Sequence, residues 1–328
     1  MKRIVSILLS FCLLFSLAGC STNQTRQEQE SLQKVTILLD WFPNTNHTGL
    51  YVAQEKGYFK DAGLDVKITQ ASEGGTPQLV AADQAEFGIS YQEEVTAARS
   101  ENVPVVAIAA IVQHNNAGFA APASKGIKTP NDFVGKTYGG WGTPMENALI
   151  KYLMEKNQAD YSTVKTVNIG SADFFTSMEK NIDFAMIYYS LTGIEAELRN
   201  IPLDFIPFRD QETALDFYSP LIVSSEKQIA KNPELVKKFM LACSQGYQYA
   251  ISHPKEAGEI FIKHVPESNR ELIMASQAYL SPRYQDDAVR WGEMKSEVWK
   301  GFADLMYDNR IIKQPIDPDQ AFTNEFLP

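Results

Sequence analysis

Val35-Thr36-Ile37-Leu38-Leu39-Asp40-Trp41-Phe42-Pro43-Asn44-Thr45-Asn46-His47-Thr48-Gly49-Leu50-Tyr51-Val52-Ala53-Gln54-Glu55-Lys56-Gly57 is the stretch that decides the fold. Its first five residues are a short apolar run rich in β-branched side chains, which reads as a buried strand. A polar loop follows, and Leu50–Lys56 then takes helical spacing until Gly57 stops it. Strand, loop, helix is the half-unit of a parallel α/β sheet, and the chain repeats it.

Outward from there, Leu64–Ile68 reads as strand, Thr76–Ala82 as helix, Phe87–Ser90 as strand, Glu93–Ser100 as helix and Val103–Ile111 as strand. The unbroken apolar run Val105–Ile111 is what a strand covered on both faces looks like. A second series begins near Ala120. It comprises a short helix at Thr129-Pro130, strand Lys136–Gly139, helix Pro144–Asn157, strand Val164–Ile169, helix Ala172–Lys180, strand Phe184–Ile187, helix Leu191–Leu198 and strand Asp204–Pro207. Beyond Leu221-Ile222-Val223 the chain turns helical. Asn232-Pro233-Glu234 supplies a cap, a first-turn proline and an acid at the positive helix end. Leu235, Val236, Phe239, Met240, Cys243, Tyr247 and Ala250 then make one apolar face, and further helices are expected at Pro254–Lys263, Ser268–Tyr279 and Met294–Asp308.

Two α/β series joined by two strand crossings, near Ala117–Pro122 and Tyr218–Ser224, predict a two-lobed clamshell with its ligand between the lobes. The expected division is residues 34–119 plus 223–328 for lobe 1 and 120–222 for lobe 2. The C-terminal helices would pack back on lobe 1. A chain of 328 residues with 44% hydrophobic residues is ample for two cores, and a net charge of −10 excludes a nucleic-acid partner.

At the N-terminus Met1-Lys2-Arg3 precedes the apolar run Ile4–Leu17, too short to span a bilayer but right for a signal-peptide core. It ends in Leu17-Ala18-Gly19-Cys20, which resembles the lipobox of bacterial lipoproteins. Residues 1–19 are therefore expected to be removed, Cys20 to be lipidated and anchored in the cell membrane, and residues 20–33 to form a polar tether. Of the three cysteines, only Cys243 would remain in the folded part, so no disulfide is available.

No Walker loop, G-x-S-x-G elbow, H-E-x-x-H or paired CxxC occurs, and the four histidines are scattered without metal-ligand spacing. The sequence accordingly predicts no enzyme, no cofactor and no metal. Polar and aromatic groups instead concentrate where strands end. Asp40, Trp41, Asn44 and His47 follow the first strand, Tyr91 and Glu94 the third, Trp141, Gly142 and Thr143 the glycine-rich strand of lobe 2, and Tyr188 and Tyr189 a further one, with Glu195 on the next helix. Ligands of open α/β sheets sit at such carboxyl ends. Tyr188 and Tyr189 point oppositely in an extended chain, so one should meet the ligand and the other pack. The alternative for the first loop is a capped helix entry with Trp41 and Phe42 as staples. For Glu93 and Glu94 it is simple first-turn acids. A cleft rich in Trp, Tyr and carboxylate, and poor in Lys and Arg, suits a flat heterocycle bearing amines rather than an oxyanion.

The run from Val35 to His47, with Thr48-Gly49-Leu50-Tyr51-Val52-Ala53, Lys56-Gly57-Tyr58-Phe59 and Gly63-Leu64, resembles the thiamine-pyrimidine (NMT1/THI5-like) family of periplasmic-binding-protein folds. Lys136–Glu146, Ile187–Glu197 and Asn232–Pro254 extend the resemblance over nearly the whole mature chain. Within the family it is nearest the formylaminopyrimidine-binding lipoproteins of ABC importers, the ThiY type; a riboflavin-binding branch shares much of the same run. The resemblance implies a type II-like two-lobe binding protein for thiamine-pyrimidine salvage, working as a monomer with an ABC permease and ATPase. Trp41 would stack on the ring, while Asp40, Asn44, Glu94 and Glu195 would bond its nitrogens and amine. Tyr188 and the Trp141–Thr143 loop would close from the other lobe. The family also holds a pyridoxal-phosphate-consuming pyrimidine synthase, with a lysine and a histidine after the third strand and a cysteine-rich loop. Here the matching positions are Ser90 and Glu94 and no cysteine cluster exists, which removes the amine that chemistry needs.

Overall fold

The computed structural model describes residues 31–70 and 75–328. The expected signal segment and Cys20 lie outside the described residues. The strands are β1 Gln33–Leu39, β2 Leu64–Gln70, β3 Phe87–Ser90, β4 Val105–Ala110, β5 Ala117–Pro122, β6 Thr137–Gly140, β7 Lys165–Asn168, β8 Phe184–Tyr188, β9 Leu203–Pro207 and β10 Leu221–Ser225. The helices that position the site are α1 Thr48–Glu55, α2 Thr76–Ala81, α3 Gln92–Ser100, α4 Pro144–Lys156, α5 Ile194–Leu198, α6 Pro233–Ser252, α7 Pro254–His264, α8 Arg270–Leu280 and α9 Ser296–Asp308.

The strands form two five-stranded sheets, ordered β2-β1-β3-β10-β4 and β7-β6-β8-β5-β9. Both are mixed rather than parallel. β10 runs antiparallel between β3 and β4, and β5 runs antiparallel between β8 and β9. Each sheet thus has a parallel half, β2-β1-β3 or β7-β6-β8, and a reversed strand brought in by a chain crossing. A fully buried strand carries the same apolar run in either direction, so β4 and β10 could not be oriented from sequence.

The crossings lie a few residues N-terminal to the expected positions. Ala117–Pro122 is entirely strand β5 of the second sheet, so the chain crosses at residues 111–116 and returns at 217–220. The divisions expected at 119/120 and 222/223 therefore fall within β5 and β10. The crossings run side by side, Ile111 N–H donating to Pro220 O at 2.9 Å. Asn115 and Asp216 stitch them further: the Asn115 amide N–H reaches Asp216 Oδ1 at 2.9 Å, and Asn115 Nδ2 reaches Leu215 O at 3.0 Å.

Helix α6 is the main buttress of the first sheet. Its apolar face, read from Leu235 to Ala250, is buried as expected. Phe239 stacks on Phe87 of β3 at 3.8 Å between centroids and on Phe59 at 5.6 Å. α6 approaches α1 closely because both carry glycine at the contact. A Cβ on Gly246 would meet Ala53 at 3.0 Å, and one on Gly49 would enter the Tyr247 ring. The second sheet has its own core around Phe119, Phe133, Tyr138, Phe184 and Phe208. α6, α7 and α8 pack on the first sheet as expected, but α8 also meets the second half through Ser276 and Tyr279, and α9 does not belong to the first sheet alone. Trp299 lies in a cluster with Val105, Leu221 and Val223 of the first sheet, whereas Phe302, Leu305 and Met306 enter the core of the second.

Candidate functional site

The four tryptophans divide into two pairs. Trp291 and Trp299 are 1% and 0% exposed, while Trp41 and Trp141 are 39% and 37% exposed. An exposed indole is an ordinary surface accident when single; here the two exposed ones meet. Trp41 follows β1, Trp141 follows β6, and their centroids lie 6.5 Å apart across the gap between the sheets. Deeper in the same gap the rings of Tyr91, after β3, and Tyr188, the last residue of β8, are nearly parallel (19°) with centroids 6.1 Å apart. All four aromatics stand at carboxyl ends of parallel strands, where the backbone turns away and leaves room.

Carboxylates close the first-sheet side. Tyr91 donates its hydroxyl to Asp40 Oδ2, and His47 Nε2 lies 2.7 Å from Asp40 Oδ1. His47 Nδ1 accepts the Asn44 amide N–H at 3.2 Å, which leaves Nε2 to donate to Asp40 and fixes the tautomer. Burial alone would raise the Asp40 pKa, but His47 and the Tyr91 hydroxyl hold it below the usual value. The Tyr91 phenol is pushed well above its usual range by burial and by Asp40. Glu94 opens onto the cleft with Ser90 Oγ donating to it at 2.7 Å. Enough protein surrounds Glu94 that desolvation, with help from Asp40, raises its pKa. Glu93 beside it is pushed up to about 8 by burial and by Glu94, and its Oε2 is buried without a hydrogen-bond partner.

On the second-sheet side, Gly140-Trp141-Gly142-Thr143 is held by one buried acid. Glu146 accepts from Tyr138 Oη at 2.7 Å, Trp141 N–H at 3.0 Å, Thr143 N–H at 2.9 Å and Thr143 Oγ1 at 3.0 Å. Gly142 takes φ +84°, which a side chain would resist, and this turn presents the indole. Tyr188 is half-buried, its pKa raised by desolvation and then by Glu93, and its hydroxyl lies 3.4 Å from Ser219 Oγ on the second crossing. Among the described residues no cluster of His, Cys, Asp and Glu is placed to hold a metal ion, and no helix is long and apolar enough to cross a membrane.

This geometry sits in a chain whose residues 44–257 match the sequence profile described as NMT1/THI5 like. The chain belongs to the NMT1/THI5-like family. Among relatives of this family, the formylaminopyrimidine-binding protein of Halalkalibacterium halodurans is 29% identical over 98% of both chains. The riboflavin-binding protein RibY of Chloroflexus aurantiacus is 26% identical, over 92% of this chain and 88% of its own. A 4-amino-5-hydroxymethyl-2-methylpyrimidine phosphate synthase of Legionella pneumophila is also 26% identical, over 90% and 92%. Among solved structures, the periplasmic aliphatic sulphonate binding protein SsuA of Escherichia coli superposes with a TM-score of 0.66. It is 14% identical, and the match covers 88% of this chain and 97% of that one. The fold of this NMT1/THI5-like chain is therefore the two-domain α/β fold of periplasmic binding proteins.

Of the residues expected at the site, the structure brings Asp40, Trp41, Tyr91 and Glu94 of the first domain together with Trp141 and Tyr188 of the second. None of the six is basic. The others stand elsewhere. Asn44 caps the turn after β1, its Oδ1 accepting Asn46 N–H at 2.9 Å, and His47 is fully buried beneath Asp40. Gly142 and Thr143 shape the Trp141 loop, the Thr143 hydroxyl being engaged by Glu146. Tyr189 faces away from Tyr188: it packs on Phe205 and Tyr279, and its hydroxyl donates to Glu197 at 2.5 Å. Glu195 pairs with Arg199 one helical turn on. Two further acids matter here: Glu93, which the sequence leaves open between ligand and first-turn acid, and Glu146, which it does not single out. For Glu146 the signal was present, since Thr143-x-x-Glu146 is a capping box. For Glu93 the signal was the same as for Glu94, and an acid in a first helical turn is ordinary, so sequence alone does not separate them.

Proposed function

We propose that this chain is an extracytoplasmic solute-binding lipoprotein of an ABC importer that captures a thiamine-derived aminopyrimidine, formylaminopyrimidine or a close relative. The observation that carries the reading is the pairing of four aromatic rings with Asp40, Glu93 and Glu94 in one cleft, without a basic residue among them. Rings supply stacking faces, and carboxyl groups accept from exocyclic amines. The full-length similarity to a formylaminopyrimidine-binding protein supports the same ligand class. Trp41 and Trp141 would close over the ring, and domain closure would form the surface that a permease recognises. Cys20 would carry the lipid anchor, and the binder would act as a monomer.

A second reading within the same class is riboflavin binding, favoured by the similarity to RibY. The synthase reading is disfavoured at named positions. Where that chemistry needs an amine and an imidazole after the third strand, this chain places Ser90 hydrogen-bonded to Glu94. Calorimetric titration with formylaminopyrimidine, hydroxymethylpyrimidine, thiamine and riboflavin tests the reading. Micromolar or tighter binding of an aminopyrimidine supports it. Binding of riboflavin alone moves the chain to the second reading, and binding of none overturns the ligand class.

A further inference from the structure

Glu93 is the unexplained group of the cleft. It lies in the first turn of α3, two residues after Tyr91, and its own backbone N–H holds the carboxyl from one side. The remaining oxygen, Oε2, is shut away from water and bonded to nothing. The groups that act on it are Glu94 on its own helix, itself next to Asp40 and Tyr91, and Tyr188 from β8 with Ser219 behind it. No cation is among them. A buried acceptor left unpaired is expensive by about 1–3 kcal/mol, more if charged, so the fold maintains it at a loss unless a ligand pairs with it.

We propose that Glu93 selects the ligand by presenting a neutral carboxyl to an edge on which an exocyclic amine adjoins a ring nitrogen. The carbonyl oxygen accepts from the amine, and the hydroxyl donates to the ring nitrogen. This pattern needs both a donor and an acceptor, which a carboxylate cannot offer. The inference rests on the aminopyrimidine reading. Tyr91 and Tyr188 are almost wide enough apart to hold the ring: two stacking contacts of about 3.5 Å need about 7 Å, and the centroids stand 6.1 Å apart. A small parting of the domains opens the slot beside Glu93.

The proton balance follows. Burial and Glu94 lift the Glu93 pKa to about 8, so at neutral pH the free carboxyl already carries its proton and capture exchanges none with solvent. Above that pH the free site is a carboxylate, and capture must take up one proton. Affinity should then fall about tenfold per pH unit.

The experiment is calorimetric titration of the full-length chain, in detergent, with formylaminopyrimidine and its 4-deamino analogue from pH 6 to 10. Wild type, E93Q and E93A are compared, with melting curves of each as a fold control. Glutamine offers the same acceptor and donor but does not titrate. E93Q should bind within about threefold of wild type at pH 7 and keep its affinity to pH 10, while E93A loses thirtyfold or more. The 4-deamino analogue should bind wild type as weakly as formylaminopyrimidine binds E93A. If wild type binds formylaminopyrimidine but E93A binds it equally, or E93Q weakens with pH as wild type does, the role of Glu93 is overturned while the ligand class stands. If wild type binds no aminopyrimidine, both fall together.

Discussion

Trp41 and Trp141 meet edge to face across the two domains, 6.5 Å apart and inclined at 66°. Trp41 follows β1 of one sheet and Trp141 follows β6 of the other, so their contact reports on the gap between domains. Trp41→Ala and Trp141→Ala should each weaken ligand binding tenfold or more while leaving the melting temperature within about 2 °C, because both side chains are over a third exposed. Tryptophan emission should shift on ligand addition in wild type and change little in the double variant, whose remaining indoles are buried.

His47 acts on the cleft without entering it. It bridges the Asn44 amide and Asp40, and it keeps a buried carboxylate ionised. His47→Ala should cost about 2 kcal/mol in chemical denaturation, the worth of a hydrogen bond to a charged group. The depressed Asp40 pKa means that its stabilisation is complete above its ordinary value of 3.8 and is lost as pH falls through the lower folded value. In His47→Ala, the loss of stability on acidification should begin at higher pH than in wild type.

Glu146 organises the Trp141 loop through four donors, and nothing else described there could replace it. Glu146→Ala should destabilise the protein by about 3 kcal/mol and weaken ligand binding as much as Trp141→Ala does. Glu146→Gln keeps acceptance at only one oxygen and should fall between. Matching affinities for wild type and Glu146→Ala would mean the loop is held some other way.

The crossing carries a titratable clasp. His114 Nδ1 lies 2.6 Å from Asp216 Oδ2, and Nε2 lies 3.3 Å from Asp287 Oδ1, so its pKa is raised by the Asp216 hydrogen bond. A raised histidine stabilises fully below its ordinary value of 6.5, and the contribution disappears as pH climbs through the folded value. The melting temperature should therefore drop as pH rises above 6.5 in wild type, and His114→Gln should flatten that drop.

Much of this arrangement was legible because local rules agreed. Asn232-Pro233 and the spacing from Leu235 to Ala250 announce α6, and strand ends at Leu39, Ser90, Gly140 and Tyr188 announce the cleft. What could not be read is polar burial satisfied from afar. Asn44 and His47 read as binding residues because so many hydrogen-bonding groups crowd the loop around them, Thr45 and Asn46 among them. Tyr247 Oη donates to Asn46 O at 2.7 Å from 201 residues away, and Tyr284 Oη donates to Thr45 O at 2.6 Å from 239 away. Thr45 Oγ1 meets Ser276 Oγ at 2.6 Å, 231 residues on. Only Asp40 and Trp41 of that loop reach the cleft. Glu195 likewise spends its carboxylate on Arg199, one helical turn on.

Helix α9 bears on how far the two halves can part. Trp299 is anchored under one sheet and Phe302, Leu305 and Met306 under the other, so the chain's last long helix acts as a tie-rod beside the two crossing strands. Helix α8 adds a further tie, Ser276 Oγ donating to Ser190 O and Tyr279 packing on Tyr189, so the two halves are joined at more than the crossings. Residues 117–217, cut out on their own, would lack part of their own interior, and the smaller domain should not survive excision.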